Sequence, residues 1–493
     1  MADPYELVPY PSAPFTQAHP DRLAVLATLH GMSPAPVERC RVLELGCGDG
    51  GHLIPIAFCL PHSEFLGIDR AAGAITKGQA LAAELGLANI TLRALDLAEV
   101  PTELGQFDYI ICHGLYAWVP PAAQERILAL SKASMTPQGV AYISYNALPG
   151  GHLRLMLREM MLFHVRGIED PGERITQVQA LLKWLASAQR EDDPYGALLK
   201  AEAERSLERR GQFLFHDELA EIYAPLYFHQ FVEQAARHGL QYLAEASLTE
   251  LRPRELPQEV LDKLEELSGK PVLREQYLDF LRCRKFRHTL LCHQEVALHR
   301  EWKPERMGKL YAASAAQAVG PADAGGVEEF RGPQGSAMST AHPLAKAVLH
   351  CLAEAWPRAL AFAELLGRVG GEKAGALAEI LYWTCAAGLV ELHSHPPCCA
   401  ARAGERPLAS PLARLQLRQG PSVTTLRHTT VTVEGVLERQ LLLLLDGTRD
   451  RAALLAELTA FARSHGLRPG APMNAEELER ALQKLARLAL LVG

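Results

Sequence analysis

From Arg39 to Asn146 short apolar runs alternate with amphipathic stretches: RVLELG, a helical stretch to Leu60, EFLGID, the helical AITKGQALAAELG, ITLRALDL, FDYIICHG, the helical AAQERILALSKASM, then GVAYISYN. Strands alternating with helices of this length predict βαβ units and a parallel, doubly wound α/β sheet. The strand segments are unbroken apolar runs, as expected where helices cover both faces. Residues 152 to 210 read as mostly helical, with HLRLMLREMMLFHV and ITQVQALLKWLASA as apolar-faced segments. In FLFHDELAEIYAPLYFHQFVEQAARHGLQYLAEASL a helix runs into a short strand that can join the same sheet, and REQYLDFLRCRKFRHTLLCH reads as a further helical segment ending near residue 293.

Between Ala312 and Thr340 the composition shifts to Ala, Gly, Pro and Ser, the signature of a linker. Beyond it, HPLAKAVLHCLAEAWPRALAFAELL with a helix ending in CAAGLVEL, and VLERQLLLLLDGTRDRAALLAEL with a helix ending in LARLALLV, each predict three helices closed by a short strand. That is the outline of a winged helix, and two such units imply an internal duplication. The expected division is a core with an N-terminal arm over 1–155, a mostly helical middle region over 156–311, a linker over 312–340 and a tandem winged-helix-like α+β part over 341–493.

At 493 residues the chain is too long for one hydrophobic core and should split into about two to four domains. The formal charge of -7 argues against a general nucleic-acid binder, which needs a basic excess to neutralise phosphates. The candidate recognition helix GEKAGALAEILYWTCAAGL points the same way, since Lys373 is its one base. Ten cysteines without a CxxC pair suggest neither a zinc site nor a disulfide framework, so no metal is expected. Neither a signal-like N-terminus nor a membrane-length apolar run is present, and the reading is a cytoplasmic chain off the membrane. Arg282, Arg284, Lys285 and Arg287 form a basic cluster, read as a solvated helix face or a contact for an acidic partner.

The strand ending in Glu44 is followed by Gly46, Gly48, Gly50 and Gly51 and then a helix, which brings backbone amides and a helix N-terminus against a closely approaching ligand. The same letters satisfy G-x-G-x-x-G, so the glycines alone leave a dinucleotide open beside other nucleoside ligands. Glu44 and Asp49 add carboxylates, which suit a ligand carrying an ammonium better than a pyrophosphate. Asp69, ending the second strand, can accept from ribose hydroxyls, a role common to NAD and S-adenosylmethionine sites. Asp96, after the third strand, is either a helix cap or a contact for an adenine amino group.

ELGCGDG, GID and FDYII, in this order and spacing, resemble the class I methyltransferase fold over residues 38 to 146. YPSAPFTQAHPDRLAVLATLHGMSP, HGLYAWVP, ISYNALPGG and QYLDFLRCRKFRHTLLCH extend the resemblance over almost the whole chain, to bacterial methyltransferases that carry a methyltransferase regulatory domain. That family includes protein-lysine methyltransferases that act on an outer-membrane protein and end in a winged-helix-like part. The resemblance implies S-adenosyl-L-methionine as cofactor, with Glu44, Gly46, Cys47, Gly48, Asp49, Gly50, Asp69, Asp96, Leu97 and His113 as candidate contacts, and a protein substrate. A small-molecule acceptor and a non-catalytic cofactor-binding protein are the alternatives.

Methyl transfer from a sulfonium needs the acceptor held in line and water excluded, with little acid–base machinery. Candidates for this work follow the fourth and fifth strands: Tyr116 or Tyr145 as a pocket wall, Asn146 to orient the amine, and His113 to touch cofactor or take a proton. Trp118, nearby, reads as core packing. The Pro-rich arm PYPSAPFTQAHPDRLA is either a lid, touching cofactor through Tyr10, Phe15, Gln17 and His19, or a surface arm packed on the domain.

Overall fold

The computed structural model describes residues 4–101, 104–190, 192–251, 256–267, 269–301, 303–320, 323, 325–370, 374–465 and 474–493. The alternation of apolar runs and amphipathic helices folds into one sheet. β1 (Arg41–Leu45), β2 (Glu64–Asp69), β3 (Ile90–Ala94), β4 (Phe107–Cys112) and β5 (Met135–Asn146) run parallel. β6 (Leu240–Glu245) and β7 (Phe286–His293) complete it, with β7 antiparallel to both neighbours, in the order β3-β2-β1-β4-β5-β7-β6. Glu44 lies in register with Gly67 of β2 and Ile111 of β4, so the end of β1 opens at the point where strand order reverses, the place where open α/β sheets bind ligands.

The two-residue period of the strands sorts buried side chains onto two faces. Val42, Tyr109, Ile111 and Tyr142 pack on one side with Leu23 and Leu26 of the helix Pro20–Leu29. Leu43, Ile110, Ile143 and Tyr145 pack on the other with Phe231 and Ala235 of the helix Phe228–Arg237.

Three expectations change. The segment read as helical up to residue 293 is helix only over Pro271–Arg282; Cys283 sits at φ 46, in the left-handed region, and FRHTLLCH leaves as β7. Arg284, Lys285 and Arg287 of the basic cluster are paired with carboxylates of the same chain, and the two arginines are withdrawn from solvent. Arg287 is fully buried and held by Asp279 at 2.8 Å, Glu245 at 2.6 Å and Glu275 at 3.1 Å, while Arg284 meets Asp279 at 2.7 Å and Lys285 meets Glu202 at 2.6 Å. Such burial is tolerated because each charge has partners of opposite sign.

The stretch read as a linker is structured. It carries β8 (Tyr311–Ala313), β9 (Gln317–Ala318), β10 (Glu328–Arg331) and β11 (Ala337–Thr340), with Ala312, Ala313, Ala316 and Phe330 buried. β8 is the middle strand of the first C-terminal unit, between β12 (Leu360–Ala361) and β13 (Glu391–His393). Helices Pro343–Ala355, Phe362–Arg368 and Ala374–Ala386 pack on that sheet; Lys373 lies outside the described residues. The second unit joins helices Pro411–Gln419, Val436–Leu444, Arg451–Ser464 and Ala475–Arg487 to a hairpin of β14 (Ser422–Thr424) and β15 (Thr430–Thr432), around a leucine core that includes Leu441, Leu454, Leu478 and Leu482. Among the described residues, no helix is long and apolar enough to cross a membrane.

Candidate active site

A cavity of about 1300 Å³ opens at the carboxyl ends of β1, β2, β4 and β5, with the N-terminal arm along one wall. The loop after β1 forms its floor. Gly46 N and Cys47 N donate to Ile68 O at 2.8 and 3.1 Å, and Gly48, at φ 55, donates its N–H to Asp69 Oδ2 at 2.8 Å. A Cβ on Gly51 would stand 2.3 Å from the Cβ of Ser12, so the arm lies directly on the loop, and only glycine permits that approach.

Glu44 faces this cavity at 3% exposure, and its Oε2 is buried without a hydrogen-bond partner. Burial, with the Asp69 carboxylate nearby, pushes its carboxyl up to about 8. An acid kept in this state, with no donor among the described residues, is complementary to a cation brought by a ligand. Asp69 also lines the cavity, its Oδ1 accepting from Ala71 N at 2.9 Å. Asp49 is committed to Lys77 Nζ at 2.6 Å and to the Gly51 amide. Asp96 accepts from Ala98 N at 2.9 Å in a turn that does not continue into a helix, and it lines the cavity beside Leu97.

His113 lines the wall after β4. Its Nδ1 meets the Tyr142 hydroxyl at 2.8 Å, Phe15 of the arm stacks on its ring at 3.7 Å, and burial beside His288 brings its pKa down to about 3. The imidazole is therefore neutral and a poor proton acceptor at neutral pH. Asn146, at the end of β5 and 4% exposed, lines the cavity with Oδ1 buried and unpartnered.

Tyr116 and Tyr145 are corrected: neither reaches the cavity. The Tyr116 hydroxyl donates to Gln234 Oε1 at 2.7 Å, while the Tyr145 ring stacks on Phe231 at 4.3 Å with its hydroxyl 3.3 Å from Thr289 Oγ1. Strand parity is the reason for Tyr145, because Tyr142, Ser144 and Asn146 share one face of β5 and Tyr145 takes the other. Trp118 lines the cavity instead of the core, tilted against Tyr223 at 5.1 Å.

Of the arm residues, Tyr10 and Phe15 reach the cavity, Tyr10 by donating its hydroxyl to Asp217 at 3.3 Å. Gln17 and His19 do not line it, and His19 caps the helix Pro20–Leu29 by accepting from Asp21 N at 3.1 Å. Sequence reasoning missed the far lobe built by the middle region. There Arg154 pairs with Glu218 at 2.9 Å, its guanidinium lying 5.2 Å from the Trp118 ring centre, and the Tyr223 hydroxyl is buried without a partner. These residues come from separate segments without a local motif, so no sequence signal joined them.

Residues 36–211 match the model of a methyltransferase domain, residues 210–293 that of a predicted methyltransferase regulatory domain, and residues 405–491 that of a PKMT C-terminal winged helix domain. An uncharacterized Rickettsia prowazekii protein, RP789, is 30% identical over 98% of this chain and 91% of its own length. A second uncharacterized protein of that organism is 35% identical over 48% of this chain and 96% of its own length. The structure of PKMT2 from Rickettsia typhi in complex with AdoHcy superposes with a TM-score of 0.86 at 27% identity, over 98% of this chain and 100% of that one.

Proposed function

Because the chain belongs to the S-adenosylmethionine-dependent methyltransferases that join a methyltransferase domain to a regulatory domain and a PKMT-type winged helix, we propose that it methylates lysine side chains of a protein. The observation that carries this reading is a pair of buried acceptors without donors on one cavity: Glu44 Oε2 at the end of β1 and Asn146 Oδ1 at the end of β5.

When bound, S-adenosylmethionine supplies a methyl group on a sulfonium, open to in-line displacement by a nucleophilic nitrogen. Glu44 would take the amino-acid ammonium, with Gly46, Cys47, Gly48, Asp49 and Gly50 around that end. Asp69 would accept from the ribose hydroxyls, and Asp96 with Leu97 would hold the base. His113, neutral and fixed between Phe15 and the Tyr142 hydroxyl, would close the cofactor wall and would not serve as base. Asn146 would accept an N–H of the incoming amine and so turn its lone pair toward the methyl group. A lysine ammonium, with an ordinary pKa of about 10.4, must lose a proton first, and an enclosed apolar setting lowers that value. The PKMT-type winged helix and the likeness to PKMT2 support a protein acceptor over a small molecule. A cytoplasmic place of work is supported by ten cysteines that are all free.

The test is to incubate the purified chain with S-adenosylmethionine carrying a labelled methyl group and a lysate of the host. Label in the protein fraction, traced to lysine by peptide mass spectrometry, is expected. Label confined to small molecules or nucleic acid would overturn the proposal.

A further inference from the structure

The tip of the β14–β15 hairpin turns inward. Thr425 N donates to Thr429 O at 2.8 Å and His428 N to Thr425 O at 3.0 Å, a tight turn that holds His428 at φ 58 and 6% exposure. This left-handed backbone is uncommon for a residue with a Cβ, and here it directs the side chain inward.

The His428 imidazole crosses into the methyltransferase domain, where Nε2 lies 2.8 Å from Nδ1 of His52, the residue that follows Gly51. The same Nδ1 is 3.2 Å from the backbone nitrogen of Phe15. An amide N–H can only donate, so His52 Nδ1 accepts from both sides and the proton between the rings belongs to His428 Nε2. Phe15 carries the connection onward through its stack on His113, which lines the cavity. Burial keeps both His52 and His428 far below the ordinary imidazole range, so each ring is neutral with a single proton, and with Nδ1 accepting, the His52 proton sits on Nε2.

We infer that His428 is a positioning residue for the S-adenosylmethionine site: through His52 it fixes the turn behind the glycine loop, and through Phe15 it fixes the arm over that loop. The C-terminal domain thus completes the cofactor site from behind, in addition to any hold on substrate. The inference rests on the methyltransferase reading.

Binding of S-adenosylhomocysteine to the full chain by calorimetry tests it with two variants. His428→Asn suits the left-handed backbone, which asparagine tolerates, but its amide is too short to reach His52. His428→Gln extends an amide donor to about the position of Nε2. His428→Asn should raise the dissociation constant about tenfold with an unchanged melting temperature, and His428→Gln should stay within about threefold of wild type. Equal affinity in His428→Asn and wild type would overturn the inference, and so would equal weakening in both variants, which would signal packing alone. A wild-type chain that binds no S-adenosylhomocysteine would sink the methyltransferase reading itself, and this inference with it.

Discussion

Two buried acids mark the two ends of the N-terminal half and behave oppositely. Asp21, 8% exposed at the junction with the C-terminal part, accepts from His393 Nδ1 at 2.7 Å, Ser394 N at 2.6 Å, Ser394 Oγ at 2.7 Å and His395 N at 3.1 Å. Burial works against its charge, yet His393 and Ser394 hold its carboxyl well below the usual carboxylate range. Glu44, still less exposed in the cavity, has no such donors, and burial leaves it raised. Burial alone therefore does not decide the charge of an acid; the donors around it do. An acid with four donors ties two regions of the chain together, whereas one with none destabilises the ligand-free protein and is explained by what it will bind.

The sharpest way to break this comparison is to remove the satisfied acid. Asp21→Ala strands the His393 imidazole, which Asp21 holds above its ordinary pKa against burial, together with two backbone amides and a hydroxyl. The expected loss is about 3–5 kcal/mol, read as a lower denaturation midpoint, the largest effect of the set. A loss below about 1 kcal/mol would mean that the junction is held by apolar contacts and that the polar cluster is incidental.

Glu44→Gln should act in the opposite direction on stability while damaging binding. Affinity for S-adenosylhomocysteine should fall on the order of a hundredfold, the worth of a buried charge-assisted hydrogen bond. The folded pKa of about 8 lies above the ordinary 4.5, so the fold prefers the protonated acid. The associated stability is fully present below about 4.5 and is lost as pH rises through about 8. The ligand-free variant should therefore melt about 2–4 °C above wild type at pH 8.5, an effect on the order of 1 kcal/mol, and alongside it at pH 4.5. A variant that melts lower at pH 8.5 would show that the carboxylate has a partner inside the fold.

The contrast between the two acids also explains what the sequence made legible. Glu44, Gly46, Gly48 and Asp69 sit within one βα turn and the next strand end, so chemistry and fold share a local signature. Asp21 and His393 are far apart in the chain, as are Arg154 and Glu218, and a pair closed only by tertiary packing leaves no local pattern. β7 was hidden because its second residue is the buried Arg287, followed by His288 and Thr289, and these break the apolar run expected of a buried strand. β8 was hidden because a short strand of Tyr and Ala resembles a small-residue linker. Tyr145 and Asn146 are adjacent letters at a strand end, and choosing which one faces the cavity requires the register that only the folded sheet supplies.

Asn146 gives the smallest and most discriminating effect, because it is the second unpartnered acceptor of the cavity but carries no charge. Removing a buried group that has no donor breaks no bond in the ligand-free protein, so Asn146→Ala should leave the melting temperature unchanged or slightly raised. If Asn146 belongs to the acceptor side, the affinity for S-adenosylhomocysteine stays within about twofold of wild type while kcat on the methylated protein falls about tenfold, the rate equivalent of one neutral hydrogen bond made to the reacting amine. Glu44→Gln should show the reverse division, with binding lost first. If Asn146→Ala instead weakens S-adenosylhomocysteine and leaves kcat intact, both orphaned acceptors serve the cofactor, and the amine is oriented by another group, with the Tyr223 hydroxyl of the far lobe, buried without a partner, the next candidate.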